Sequence, residues 1–323
     1  MTIQASNDLS ALFPPESTGS LPATALAIIE DEGLLSVTGT DATRFLQGQL
    51  SCDVATLATG SSTLGARCNP KGRMQSSFRL YKRSEEEYLL AIHHEVMEAQ
   101  QQDLAKYAAF FKVTLADVSA QWTRLALWGD STDALDVAES VGAIILPVAE
   151  QTCELWLPAG LAGDAVSRLA EHVAPVAASA WRLQLIRLGI GQVQGPTRES
   201  FIPQMLNLQH LGAVSFSKGC YTGQEIVARM QYLGKLKRRM FRLLGDGQQL
   251  PAPGTVIIDR IRNQAVGEVV IAARADEGME LLAVLQTDAA ELPTLGISDA
   301  NETSLQLATL PYDSLMAAQA TEN

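Results

Sequence analysis

The spacing of apolar residues changes character near residue 240, and this change restricts the possible folds more than any other feature of the chain. Before it, short apolar strands alternate with helical patterns, beginning with a strand at 25–29 and a helix from about Asp41. After it, short strands are separated by Gly, Pro, Asp and Asn turns, which indicates a small closed sheet. The sequence therefore predicts an α+β fold of ferredoxin-like units followed by a β-barrel, with a boundary near residues 238–244.

The same patterns place the other elements along the chain. Further strands are predicted at 34–37, 64–67, 74–81, 88–92, 123–127 and 153–157. Further helices are predicted at 95–111, 130–141, 163–173 and 181–188. Strands of the closed sheet are predicted at 241–244, 255–258, 265–272, 281–286 and 305–310. The beginning of the chain, residues 1–22, is rich in Ser, Thr and Pro, and we expect it to be a flexible lead-in.

Charge is distributed unevenly over the 323 residues. The chain has 24 Lys and Arg against 36 Asp and Glu, a formal net charge of −12. This acidity argues against a surface covered by nucleic acid, because phosphate binding requires concentrated basic side chains. Residues 54–84 and 226–245 nevertheless hold six basic residues each and no acidic one. Either these two basic segments pair with acids elsewhere in the fold, or they form an anion-binding surface.

The sequence shows no targeting or metal-binding pattern. No basic segment followed by an apolar core begins the chain, so we predict no secretory signal and expect a cytoplasmic protein. The longest unbroken apolar run, residues 141–149, is too short to span a membrane. The four cysteines form no CxxC pair and the four histidines no HExxH pattern, so we predict reduced thiols and no metal site.

The segment KGCYTGQE, residues 218–225, precedes an apolar run with helical spacing. Thr222 and Glu225 have the spacing of a capping box, which places Cys220 just before a predicted helix N-terminus. Unpaired N–H groups at that position, together with Lys218, would lower the pKa of the Cys220 thiol and make it a candidate nucleophile or ligand. The alternative is that Cys220 is a small buried apolar residue beside a tight turn.

This segment, extended to Arg229, resembles the signature of the YgfZ family, folate-binding relatives of the glycine-cleavage T-protein that support iron-sulfur proteins and tRNA modification. Further similarity lies in residues 39–53, 69–73, 181–191 and 201–208. The resemblance implies ferredoxin-like subdomains and a C-terminal β-barrel arranged in a ring around a channel for tetrahydrofolate or a one-carbon derivative. The implied subdomains are about 23–115 plus 182–240 and 116–181, with the barrel at 241–323.

The resemblance also implies roles for individual residues. The functional cysteine and lysine of the family fall on Cys220 and Lys218, and a tryptophan implicated in folate binding falls on Trp181, for which core packing is the alternative reading. A second tryptophan expected near the N-terminus is absent. The other expected folate-binding residues of the motif are Tyr221, Gly223, Gln224, Glu225 and Arg229.

Three functions stay open at the level of the sequence. The first is a tetrahydrofolate-binding accessory protein, expected to be monomeric, whose partners are iron-sulfur proteins including tRNA-modifying enzymes. The second is a tetrahydrofolate-dependent one-carbon transferase or demethylase of the aminomethyltransferase type. It is less favoured because T-proteins carry acidic residues in a G-G-I-x-D-D strand where this chain has Ser76 and Ser77. The third is an interaction module.

The two basic segments bear on all three functions. In an interaction module they would dock an acidic protein or RNA. Because they flank the family motifs, we expect 54–84 and 226–245 to line one channel mouth. There they would attract the glutamate tail of folate or another anionic partner.

Overall fold

The alternating patterns of the first part of the chain form two sheets, and the short strands of the last part form a barrel. The computed structural model describes residues 9, 12–15, 19–247, 249–298 and 300–314. Within them lie two five-stranded sheets and a closed six-stranded barrel. The predicted α+β fold with a C-terminal β-barrel is therefore confirmed. No helix in this part of the chain is long and apolar enough to cross a membrane.

The elements follow the predicted order. The sheet strands are β1 (Ala25–Ile28), β2 (Glu32–Thr38), β3 (Ser62–Cys68), β4 (Met74–Ser84), β5 (Glu87–His93), β6 (Thr114–Asp117), β7 (Trp122–Trp128), β8 (Ile144–Ala149), β9 (Thr152–Pro158) and β10 (Pro175–Val176). The helices are α1 (Ala42–Gln47), α2 (His94–Ala108), α3 (Thr132–Ser140), α4 (Ala162–Ala170), α5 (Ala178–Leu188) and α6 (Gln224–Leu233). The barrel strands are β11 (Arg238–Gly245), β12 (Val256–Asp259), β13 (Gln264–Ala275), β14 (Gly278–Gln286), β15 (Leu295–Ile297) and β16 (Ala300–Ala308). The patterns do not predict β6, β8, β10 and β15.

The first sheet has the strand order β3-β4-β5-β2-β6. Helices α1 and α2 cover one face, where Phe45 and Leu104 are buried with apolar residues of β2, β4 and β5. On the other face, Tyr81 and Leu89 pack with Leu146 and Trp156 of the second sheet. The two sheets therefore share a buried layer, as their period-two apolar patterns require.

The second sheet has the order β10-β1-β7-β9-β8 and is covered by α3 and α4. It includes β1, which pairs antiparallel with β7 and parallel with β10. The resemblance places residues 25–29 in the subdomain 23–115, whereas β1 pairs in the sheet whose other strands lie between residues 122 and 176. Its side chains are buried on both faces, Leu26 beneath α4 and Ala27 beneath α5, which a central sheet position explains.

Helix α5 connects the sheets to the barrel. Trp181 and Leu185 face β1 and β7, whereas Leu183 and Ile186 pack in a cluster with barrel residues such as Met240. The barrel closes in the order β11-β14-β13-β12-β15-β16. It begins at Arg238, within the range predicted for the boundary.

Most of the predicted lead-in, residues 1–22, lies outside the described residues. Two of its described side chains, Leu9 and Phe13, are buried with Leu26 and Leu127 in the core of the second sheet. These two side chains are therefore packed against the fold.

Candidate functional site

Lys218 anchors the loop that carries Cys220. Its Nζ donates hydrogen bonds to the backbone carbonyls of Leu50 (2.8 Å) and Cys52 (2.7 Å), and it lies 5.2 Å from the centre of the Tyr221 ring. Burial lowers the pKa of Lys218 to about 8, although the neighbouring Cys52 and Asp53 oppose the shift. Lys218 therefore ties the loop to the segment after α1, a role that the sequence did not indicate.

Backbone hydrogen bonds hold the same loop at other points. The N–H of Ser215 donates to the carbonyl of Ser51 (2.8 Å), and the hydroxyl of Ser51 donates to the carbonyl of Ala213 (2.7 Å). The N–H of Thr222 donates to the carbonyl of Gly48 (3.3 Å). Together with Lys218, these contacts fix the loop on both sides of Cys220.

Cys220 is exposed, whereas the other three cysteines are partly or fully buried. Burial raises the pKa of the Cys52 and Cys68 thiols to about 12 and that of Cys153 to about 11, so these thiols stay protonated near neutral pH. The alternative reading of Cys220 as a buried apolar residue is wrong. Its thiol is the one open to a reagent or partner from solvent.

Helix α6 begins without the predicted capping box. The N-cap residue is Gly223, and no side chain caps the helix. Gly223 has a φ of +84°, and a Cβ at this position would lie 2.5 Å from the carbonyl oxygen of Asn69. Glycine is needed here both for the left-handed conformation and for close packing against the 69–72 turn. Helix α6 therefore begins at the left-handed turn of Gly223, and the side chains of Thr222 and Glu225 do not cap it.

The remaining motif residues occupy different environments. Tyr221 is buried, its hydroxyl has no hydrogen-bond partner among the described residues, and burial raises its pKa. The amide of Gln224 reaches back 3.5 Å to the carbonyl of Lys218. Glu225 and Arg229 are exposed on α6. The motif thus forms an anchored loop with an open thiol and charged groups beside it.

Trp181 lies elsewhere, in the wall of a narrow cavity. It is 4% exposed and stacks on Trp128 with ring centres 6.4 Å apart and planes at 22°. Ser77, Glu32 and Gln192 also line the cavity, whose volume of about 30 Å³ is room for about one water molecule. The described residues that line it do not include Cys220. The thiol of Cys220 is therefore not part of the wall of this cavity.

Buried ion pairs lie beside this cavity. Glu154 accepts hydrogen bonds from Arg79 Nε (2.9 Å), Arg124 Nη2 (2.8 Å) and Trp156 Nε1 (2.9 Å). Burial alone would raise the pKa of Glu154, but the two guanidinium groups outweigh it and hold the pKa well below its ordinary value. Arg124 also binds Glu32 at 2.5 Å. Sequence reasoning missed this network, although charged residues inside the apolar strands β4, β7 and β9 were a signal for it.

The two basic segments differ in how they are neutralised. In 54–84, four of the six basic side chains pair with carboxylates, namely Arg67 with Asp103, Arg79 with Glu154, Lys82 with Glu85 and Arg83 with Glu87. In 226–245, Arg242 pairs with Glu280 and Arg239 with Asp313, but Arg229, Lys235 and Lys237 are exposed and form no ion pair with any described residue. The segments meet where a Cβ on Gly72 would lie 2.9 Å from Ile226 Cβ. Lys71 of the first segment is also exposed and forms no ion pair with a described residue, so both segments keep open charge and the second keeps more of it.

A solved structure shares this fold over most of the chain. The family model of the GCVT N-terminal domain matches residues 24–142. The crystal structure of glycine cleavage system aminomethyltransferase T from Bartonella henselae superimposes with a TM-score of 0.69 over 93% of this chain and 91% of that chain, at 18% identity. The chain is therefore a protein of the aminomethyltransferase T fold.

Curated relatives define the family more closely. A protein named tRNA-modifying protein YgfZ from Colwellia psychrerythraea is 32% identical over 97% of this chain and 98% of its own length. One of the same name from Photobacterium profundum is 33% identical over 90% and 92% of the two chains. The chain belongs to the YgfZ family.

Proposed function

We propose that this protein is a cytoplasmic, monomeric, tetrahydrofolate-binding accessory protein that supports iron-sulfur enzymes, including those that modify tRNA. Membership of a family whose curated members are named tRNA-modifying proteins supports the tRNA role. The observation that carries the proposal is the exposed thiol of Cys220 on the anchored motif loop. In this proposal Cys220 is the working thiol and Lys218 positions it.

The cavity beside Trp181 is the proposed place of the pterin ring of tetrahydrofolate or a one-carbon derivative. The indole of Trp181, which stacks on Trp128, supplies an apolar part of the wall, and the carboxylates of Glu32 and Glu154 suit the amino and ring N–H donors of a pterin. A volume of about 30 Å³ is much smaller than the roughly 300–1,000 Å³ of ordinary ligand sites, so binding requires these side chains to move apart. Tyr221, Gly223, Gln224, Glu225 and Arg229 are proposed to extend the site on the motif side.

One-carbon transfer is the second candidate function, since Glu32 and Glu154 bring carboxylates to the cavity. The accessory role is nevertheless favoured. Ser77, at the strand position where T-proteins carry an acid, accepts a hydrogen bond from the N–H of Val193 (2.9 Å). Glu154, held by two guanidinium groups with its pKa lowered, is a poor proton acceptor near neutral pH.

Titration of the purified protein with tetrahydrofolate tests the proposal first. We expect saturable binding that Trp181→Leu weakens and that Trp122→Leu, at a half-buried tryptophan outside the cavity, leaves unchanged. Absence of saturable binding would reject both the accessory and the transferase function. If folate binds, consumption of a methylamine donor by the wild-type protein would favour the transferase.

A deletion strain tests the thiol. A deletion strain that carries the Cys220→Ser variant should have low activity of its iron-sulfur enzymes and few modified nucleosides in its tRNA, and both are measured. Cys153→Ser, a change at a partly buried thiol, is the matched control and should restore both. Full restoration by Cys220→Ser would contradict the proposed role.

A further inference from the structure

The last turn of α6 exposes an aromatic and an aliphatic side chain beside unpaired basic groups. Tyr232 is 68% exposed and Leu233 is 85% exposed. Arg229 lies one turn earlier, and Lys235 and Lys237 follow in the extended connection to β11. We call these five residues the α6 tail surface. It is basic, without an acidic residue between 226 and 245, in a chain whose net charge is −12.

Tyr232 is positioned by its neighbour. Its ring meets Phe216 edge-on, with centres 6.0 Å apart and planes at 72°. This contact supports the ring from one side while most of it stays open to solvent. Such a ring is available for stacking at a lower cost in side-chain ordering than a free one.

A cavity of about 560 Å³ adjoins the surface, because Leu236, between the two lysines, forms part of its wall. Within it, the guanidinium of Arg239 lies 4.0 Å from the centre of the Phe241 ring. The Gln209 Oε1 atom is buried and has no hydrogen-bond partner among the described residues. Glu291 and Asp313 add two carboxylates to the wall. The cavity therefore offers acceptors and ring faces, whereas the cationic groups without a partner lie outside it.

We propose that the α6 tail surface and this cavity bind a single-stranded segment of RNA. Arg229, Lys235 and Lys237 contact phosphates, Tyr232 stacks on a base, and a neighbouring base enters the cavity with its amino edge toward Gln209 Oε1. Basic side chains beside exposed aromatic rings are the common design of single-strand binding sites. The choice of RNA rests on the proposed role in tRNA modification. Direct contact with RNA goes beyond it.

Fluorescence anisotropy with a short labelled single-stranded RNA, and with an unmodified tRNA transcript, tests the proposal over a series of salt concentrations. The logarithm of the binding constant falls as the logarithm of the salt concentration rises. Each lost phosphate contact makes this slope less steep by about 0.7 for single strands. The double variant Lys235→Ala/Lys237→Ala should therefore make the slope less steep by about 1.4. Lys112→Ala, which removes an exposed charge elsewhere, should leave the slope unchanged.

Stacking is tested separately from charge. Tyr232→Ala should weaken RNA binding by about 5- to 150-fold with an unchanged salt slope, and Tyr232→Phe should retain binding. Because these side chains are exposed, the variants should keep the wild-type unfolding midpoint. Gln209→Leu should weaken binding of amino-bearing bases more than of uracil.

Three results would overturn the proposal: no saturable RNA binding, binding that the Lys235/Lys237 pair does not affect, or binding of an acidic protein at this surface in place of RNA. Folate titration and complementation distinguish this failure from failure of the proposed function. A chain that binds tetrahydrofolate and restores tRNA modification without binding RNA refutes the RNA surface alone. A chain that binds RNA without either of those properties refutes the accessory function alone.

Discussion

The Cys220 loop and the cavity beside Trp181 differ in the interactions that hold them and in their exposure to solvent. The loop is held by hydrogen bonds to backbone carbonyls, chiefly from one lysine, and it leaves its thiol in solvent. The cavity is bordered by buried carboxylates and guanidinium groups that are paired with one another, and it leaves room for about one water. The difference shows that the chain combines an accessible thiol with a closed polar interior in two distinct environments. Each of the following predictions tests that division.

Thiol labelling should give the largest difference. Cys220 should react with a water-soluble thiol reagent within the time of mixing, whereas Cys52 and Cys68 should react only when the fold opens. For a domain stable by about 5 kcal/mol or more, that protection is over a thousandfold. Mass spectrometry of the labelled peptides measures it. Cys220→Ser is the control and should show no fast phase; fast labelling of Cys52 in the native protein would remove the distinction.

Removing the central carboxylate of the buried network should be strongly destabilising. In Glu154→Gln, Arg79 keeps its charge in the interior without its carboxylate partner and Arg124 keeps only Glu32, and loss of one partner of a buried pair costs about 3–5 kcal/mol. Urea unfolding measures the change in the free energy of unfolding. Glu150→Gln, at an exposed carboxylate in the β8–β9 turn, is the matched control and should stay within about 0.5 kcal/mol. A similar effect of both substitutions would mean that the network does not stabilise the fold.

Lys218 should give the loop a distinctive pH dependence. Its pKa is about 8 in the folded protein and 10.5 for the ordinary side chain, so between these values the unfolded chain binds more protons. The free energy of unfolding attributable to Lys218 therefore rises with pH in this window, by at most about 1.4 kcal/mol per pH unit. Urea titrations of the wild type and of Lys218→Met at several pH values in this window give the free energy of unfolding of each protein. The contribution of Lys218 is the change with pH of the difference between these two free energies. Parallel curves for the two proteins would contradict a Lys218 whose pKa is lowered by burial.

The sequence predicted this loop less well than it predicted the fold. Apolar periodicity locates both sheets and the barrel because each element buries its own regular face. It misses β8, where Pro147 interrupts an apolar run, and it cannot show that β1 pairs with β7, because strand pairing is not a local property. The carbonyls that Lys218 binds are 168 and 166 residues away in sequence, so no local pattern indicates them. The stacking of Trp128 on Trp181 is nonlocal for the same reason.

The smallest expected effect concerns the start of α6, where sequence and structure disagree most directly. A capping threonine would cost about 1 kcal/mol when replaced by alanine. Because no side chain caps α6, Thr222→Ala should change the free energy of unfolding by less than about 0.5 kcal/mol. Gly223→Ala should cost more than about 1 kcal/mol, since it combines a left-handed φ with a close contact to Asn69. Urea unfolding measures the loss of unfolding free energy in each variant. A larger loss for Thr222→Ala would indicate that the capping box does stabilise α6. A larger loss for Gly223→Ala would indicate that the turn at Gly223 is the feature that begins the helix after Cys220.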